Sequence, residues 1–196
     1  MEESLSAALE VIDVVEQLGV PYFLGGSLAS TIYGIPRSTL DADIVADLKT
    51  EHAAALVGAL GDTFYADLGA IQEAIRNRSS FNLIHLATAF KVDVFIPKDR
   101  TFDQLQFRRA VAQHIDPDSD RTAMVCAPED IILAKLEWYC LGNEIADRQW
   151  RDVLGVLKTQ GRGNLDLNYL ETWADRLNLS RLLEQALEAS GVRRDP

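Results

Sequence analysis

Gly25-Gly26-Ser27, followed after a helix-length gap by Asp41-Ala42-Asp43, is the stretch that decides how the rest of this chain is read. Two glycines and a serine at a strand-to-helix turn leave backbone N–H groups bare and aimed outward, which suits a phosphate. Two carboxylates at i and i+2 of a strand project from one face, because side chains alternate in extended backbone. A phosphate cradle beside a carboxylate pair is what holding a metal-bound polyphosphate requires.

The flanking sequence supplies the elements that carry these residues. Tyr22-Phe23-Leu24 is a short strand entering the glycines, and Ser27 to Tyr33 is a short helix closed by Gly34, with Pro36 forbidding its continuation. Ala42 to Ala46 is a strand. Upstream, Leu5, Leu9, Ile12 and Val15 share one helical face over residues 4–18, with Gly19 as the stop. Downstream come helices over 51–60 and 70–76, then strands 81–86 and 91–96 joined as a hairpin. A short helix over 101–107 and a strand over 109–115 follow. Asp116-Pro117-Asp118-Ser119-Asp120 reads as a solvated loop. From Pro128 onward the pattern is helical: 128–141, 145–159, 166–177 and 179–190. The change from mixed elements to helices alone places a boundary near 116–127, giving residues 1–120 and 121–196 as two regions.

Composition sets the outer limits. The 196 residues suffice for a proper core, and 47% hydrophobic with 25% charged residues is the balance of a soluble globular protein. No apolar run approaches the roughly 18 residues of a membrane span. The start, Met1-Glu2-Glu3-Ser4, is acidic where a secretory signal is basic, so the expected location is cytoplasmic. Cys126 and Cys140 lack the spacing of a disulfide framework or a zinc site. Net charge is −11; residues 1–99 carry 14 acids against 6 bases, and residues 100–196 carry 16 against 13. That balance disfavours general nucleic-acid binding, since phosphate contacts supply most non-specific affinity. Arg108-Arg109, with Arg148, Arg151, Lys158 and Arg162, read as a local basic face or as an ordinary solvated helix surface.

A third acid completes the set. In Lys91-Val92-Asp93-Val94-Phe95-Ile96 the valines and Ile96 face one way, while Asp93 stands between Lys91 and Phe95 on the other. A mid-strand carboxylate in an apolar segment costs several kcal/mol if unpaired, so Asp93 implies a cation, a metal or an exposed face. Asp41, Asp43 and Asp93 together would hold Mg²⁺, which needs few protein ligands and completes its shell with water or substrate oxygens. Other readings of Asp41-Ala42-Asp43 fit less well. A calcium loop would want an oxygen ligand at Val45 and glycine at Ala46. A dehalogenase-type phosphatase would place its aspartates after an apolar strand, not after Arg37-Ser38-Thr39-Leu40. The glycine turn is neither a Walker loop nor a dinucleotide fingerprint.

Gly25-Gly26-Ser27, Arg37-Ser38-Thr39-Leu40-Asp41-Ala42-Asp43-Ile44 and Lys91-Val92-Asp93 resemble the signature of the DNA polymerase β-type nucleotidyltransferase superfamily. Pro128-Glu129-Asp130 leading to Lys135, then Arg148-x-x-x-Asp152, is similar to its AbiEii/AbiGii branch, the toxins of type IV toxin–antitoxin systems. The resemblance spans roughly residues 20–160. It implies an α/β (α+β) fold, a mixed sheet flanked by helices with a helical C-terminal region. It implies a magnesium-dependent enzyme, with two Mg²⁺ ions on Asp41, Asp43 and Asp93, that moves a nucleoside monophosphate from a triphosphate such as ATP to an acceptor hydroxyl. The acceptor is RNA, a protein or a small molecule, and a cognate antitoxin is an implied partner. Gly25, Gly26, Ser27, Arg37 and Lys135 would contact the nucleotide; Lys135 and Asp152 match later polar positions of the branch. Proteins of that branch are typically longer. A non-catalytic relative that binds nucleotide or a protein partner, as an antitoxin would, is the alternative.

The residues themselves also speak for Lys135. It falls inside the apolar arc of its helix, with Ile131, Ile132, Trp138 and Tyr139, so it must either snorkel or meet an anion. Asp152 either orients Lys135 or an acceptor, or pairs with Arg148 one turn away. Arg37 reads as a phosphate ligand or as a surface arginine. His85 reads as packing, and Trp138, Tyr139, Trp150 and Trp173 as core.

Overall fold

The computed structural model describes residues 2–39, 41–115 and 120–192. Residues 116–119 of the expected aspartate loop, together with Met1 and Leu40, lie outside the described residues. In chain order the elements are α1 (Glu2–Gln17), β1 (Tyr22–Leu24), α2 (Gly26–Tyr33), β2 (Asp41–Ala46), α3 (Thr50–Leu60), β3 (Phe64–Tyr65), α4 (Leu68–Asn77), β4 (Ser80–His85) and β5 (Lys91–Phe95). There follow α5 (Thr101–Arg109), β6 (Val111–His114), β7 (Thr122–Val125), α6 (Pro128–Leu141), α7 (Asp147–Gln160), α8 (Leu167–Arg176) and α9 (Ser180–Ser190). None of these helices is long and apolar enough to cross a membrane.

The chain forms two compact units. The first comprises Met1–Leu28 and Ser38–Val125. It contains a mixed sheet ordered β3-β4-β5-β2-β1-β7-β6. β2 lies at its centre, antiparallel to β1 and parallel to β5. Ala42, Ile44 and Ala46 of β2 and Val92 and Val94 of β5 are buried, and the intervening residues are half-buried. This period-2 pattern turns the aspartates to the more open face of the same strands. α1 covers the sheet with Ala7, Ala8, Val11, Ile12 and Val15, which recur at helical spacing. α4 begins where Asp67 accepts a hydrogen bond from the Ala70 N–H at 2.7 Å, an N-cap worth about 1 kcal/mol. Two strands escape the sequence reading. β3 has only two residues, too few to show alternation. β7 meets β1 at one register position, Leu24 with Val125, and β6 at four, and it falls inside the span read as a boundary.

The second unit comprises Ala29–Arg37 and Cys126–Pro196. α6 opens with Pro128 at its first turn, where the missing N–H costs nothing. Its buried side carries Ile131, Ile132, Leu133 and Leu136, and α7 adds Val153, Val156 and Leu157. Trp173 of α8 belongs to this core, but Trp138, expected in it, is 55% exposed. The four apolar residues already named fill the α6 side that packs, and Trp138 lies past them near the helix end.

Candidate active site

The first cluster grows from the ladder between β1 and β2. The pairing of Leu24 with Ile44 runs one step further, so that the Gly25 N–H donates to the Asp43 carbonyl at 2.9 Å. The Ser27 N–H, in the first turn of α2, points at Asp43 Oδ2 at 3.3 Å. These amides are therefore not bare, as the sequence alone implies; they are turned towards Asp43, because the ladder continues into the glycine turn. Gly26 has φ of +51°, and a Cβ built there would lie 1.6 Å from Asp43 Oδ2 and 2.8 Å from Asp43 Cβ. Glycine is obligatory at this point for both backbone and space. The Asp43 carboxylate occupies the place a side chain at 26 would take.

The parallel pairing of β2 and β5 sets Asp41 opposite Lys91 and Asp43 opposite Asp93. All four side chains thus share one face of two adjacent strands. Asp41 Oδ1 accepts from Thr39 Oγ1 at 3.0 Å, and Lys91 Nζ lies 2.7 Å from Asp93 Oδ2. The hydrogen bond to Asp93 raises the Lys91 ammonium above its usual pKa, and the charges of Asp93, Asp41 and Asp43 add to it. Three carboxylates on one strand face offer hard oxygen donors of the type magnesium takes, and the Lys91 ammonium stands among them. Among the described residues no three His, Cys, Asp or Glu side chains are gathered into a ready-made cage. Lys91 is the residue sequence reasoning passed over. Its signal was plain: it is two residues before Asp93, hence on the same face.

The second cluster belongs to the helical unit. Arg37 grips Asp152 of α7 with both arms of its fork, Nε to Oδ1 at 3.0 Å and Nη2 to Oδ2 at 2.8 Å. Lys135 of α6, only 3% exposed, reaches the same Oδ2 at 2.8 Å and donates to Gln149 Oε1 at 2.9 Å. Burial works to raise the Asp152 carboxyl. The hydrogen bonds from Arg37 and Lys135 outweigh it and hold the group below the usual carboxylate range. Lys135 meets an anion inside the protein, and Asp152 is engaged by Arg37 and Lys135. The segment carrying Arg37 comes close because of Gly34, where a Cβ would lie 2.7 Å from the Ser30 carbonyl oxygen and 2.9 Å from the Val156 nitrogen. Gln160 Nε2 adds a 2.7 Å bond to the Tyr33 carbonyl.

Two further acids of α6 are also internal. Glu129 accepts from the Asp166 N–H at 2.8 Å, just ahead of α8, and fully buried Asp130 accepts from the Tyr169 hydroxyl at 2.6 Å. Pro128-Glu129-Asp130 thereby joins α6 to α8. His85 meets Thr88 Oγ1 at 2.8 Å and stacks at an angle on Phe64.

The sequence matches no family model and no curated protein. Solved structures do match. The antibiotic-resistance factor ANT(2'')-Ia in complex with adenylyl-2''-tobramycin aligns with a TM-score of 0.59 at 10% identity, covering 93% of this chain and 99% of that one. Its solution structure aligns at 0.57 and 12%, covering 94% and 97%. An antigenic nucleotidyltransferase-like protein from Paracoccidioides brasiliensis aligns at 0.58 and 16%, covering 98% of each. The chain therefore has the nucleotidyltransferase fold, a mixed sheet with flanking helices, as the glycine turn and aspartates lead one to expect.

Proposed function

We propose that this chain is a magnesium-dependent nucleotidyltransferase that passes a nucleoside monophosphate from a triphosphate to an acceptor hydroxyl. One observation carries the reading: Asp43 lies over the Gly26 turn while its strand pairs in register with that of Asp93, with Asp41 on the same face. Asp41, Asp43 and Asp93 would hold the metal, which when bound neutralises polyphosphate charge and polarises the phosphorus under attack. The Ser27 N–H, which now points at Asp43 Oδ2, would turn to a phosphate oxygen once that carboxylate is engaged by metal, while the Gly25 N–H stays in the ladder and Gly25 and Gly26 shape the turn. Arg37 and Lys135, the two cations that meet at Asp152, are the ones given the nucleotide role expected of them, with the partly exposed Arg37 the more accessible of the two. The ANT(2'')-Ia complex, with its adenylylated tobramycin, favours ATP as donor and a hydroxyl of a small molecule as acceptor.

The toxin role, and with it a cognate antitoxin, rests on the AbiEii/AbiGii resemblance alone. Glu129, Asp130, Lys135 and Asp152, which carry that resemblance, all have internal partners here. A second reading has an observation of its own: the Lys91–Asp93 pair occupies a carboxylate that catalysis needs, as in a non-catalytic binder of nucleotide or partner. The test is incubation with Mg²⁺, each labelled triphosphate, and cell extract or candidate small-molecule acceptors. Transfer that falls at least about 10³-fold in Asp43→Ala supports the enzyme, since a metal ligand is worth several kcal/mol. Absence of transfer with every triphosphate, alongside tight nucleotide binding, supports the second reading.

A further inference from the structure

The Lys91 side chain carries more than a local ion pair. β2 and β5 run parallel, so Lys91 starts opposite Asp41 and lies two residues before Asp93, on the face that also carries Asp43. One ammonium thus faces three carboxylates, and its Nζ rests 2.7 Å from Asp93 Oδ2. Its side chain is 41% exposed while that of Asp93 is only 14% exposed. The carboxylate is fixed in the strand, and the lysine, on a four-carbon stem open to solvent, is free to leave. An ion pair with one solvated partner is weak. A hard divalent ion carries twice the charge and coordinates oxygen directly, so it competes well for the same carboxylate.

We propose that Lys91 is the resident counter-cation of this acidic face, holding Asp93 in place until a divalent ion displaces its ammonium, and so setting how tightly that ion binds. The proposal rests on the reading of Asp41, Asp43 and Asp93 as metal ligands. It gives Lys91 a positioning role: the side chain keeps three like charges together in the metal-free protein and raises the threshold of divalent-ion concentration for loading. Once displaced, the ammonium is left beside the metal, where it faces any polyphosphate the metal carries.

The experiment is Mn²⁺ binding to the full chain without nucleotide, read from the spectrum of the free ion. Native protein, Lys91→Met, Lys91→Arg and Asp43→Asn are compared. The expected result is that Lys91→Met binds Mn²⁺ about tenfold more tightly than native protein, because a unit of positive charge has been removed within a few ångströms of the ion. Lys91→Arg, which keeps the cation, should bind as native does. Equal affinity in native and Lys91→Met overturns the inference and leaves the metal reading standing, provided Asp43→Asn has lost binding. An arginine variant as tight as the methionine variant also overturns it. Failure of all four proteins to bind Mn²⁺ overturns the metal reading and the inference with it. Because Lys91 is well exposed, native-like melting of the variants separates these outcomes from misfolding.

Discussion

Asp93 and Asp152 each meet a lysine at almost the same distance, 2.7 and 2.8 Å, yet their surroundings differ in every other respect. Asp93 has a solvated lysine with open stem on a strand face shared with two more carboxylates, so acids outnumber bases there. Asp152 has a buried lysine and a bidentate arginine, so bases outnumber acids. The first arrangement is short of positive charge and accessible. The second sets two cations on one carboxylate, with Lys135 and Asp152 almost closed to water and Arg37 partly exposed. An acidic face of the first kind stays ready for an outside cation, whereas the second is tied together by its own partners. Substitutions should therefore separate them by readout, one through chemistry and the other through stability.

The largest expected effect breaks the first region. Gly26→Ala puts a methyl group 2.4 Å from Asp43 Cγ and 2.8 Å from its Cβ, at a positive φ. Rotating the carboxylate cannot relieve contact with Cβ, so Asp43 must move with its strand. Nucleotide transfer should fall at least about 10²-fold, towards the level of Asp43→Ala, since misplacing a reacting group by about 1 Å has that cost. An alanine variant with native rates would show that Asp43 is not the group on which transfer depends.

Next in size is the second region, where the sign of the surplus makes a specific prediction. Asp152→Asn leaves the buried Lys135 and the half-buried Arg37 around a neutral amide and should cost about 3–5 kcal/mol in chemical denaturation. Lys135→Met leaves Asp152 with Arg37 still gripping it, and loses only the Nζ bonds to Asp152 and Gln149. That should cost less, about 1–3 kcal/mol. If the methionine variant is the less stable of the two, the surplus of positive charge is not what governs this network.

Acid should expose the same contrast. The folded-state pKa of Asp152 lies below its unfolded value, so its contribution is complete above pH of about 4 and is lost as pH falls through the lower folded value. The stability gap between native protein and Asp152→Asn should therefore be constant from neutrality down to about pH 4 and narrow below it. A gap that stays constant to about pH 2 would mean the carboxylate is not held ionised by Arg37 and Lys135.

How much of this was legible beforehand follows from range. The glycine turn, the aspartate pair and the strand bearing Asp93 are written in local patterns: turn chemistry, alternation of period two, and a charge in an apolar strand; that this strand lies parallel to β2 is not. Lys135 was legible too, as a lysine inside an apolar arc. The partner of Asp152 was not settled, since Arg148 stood one turn from it in sequence and Arg37 stood 115 residues away. Nothing local announces that Gly34 lets the chain approach α7 and bring Arg37 with it. Trp138 failed for the opposite reason: an apolar residue on an apolar helix looks buried until the neighbours that fill the core are known.

The smallest expected effect sharpens the comparison most. Lys91→Met removes an ion pair of the same length as the Lys135–Asp152 pair, but with the lysine 41% exposed rather than 4%. Screening by solvent limits such a pair to roughly 0–1 kcal/mol, so the metal-free variant should unfold within about 1 kcal/mol of native protein. Part of that small loss should vanish at high ionic strength, where salt screens the three carboxylates from one another. Lys135→Met should show little salt dependence, because Lys135 and Asp152 are almost wholly buried. Two lysine-to-methionine changes with the same measured cost would mean that burial does not separate these regions, and that the open, cation-seeking character of the strand face has been misread.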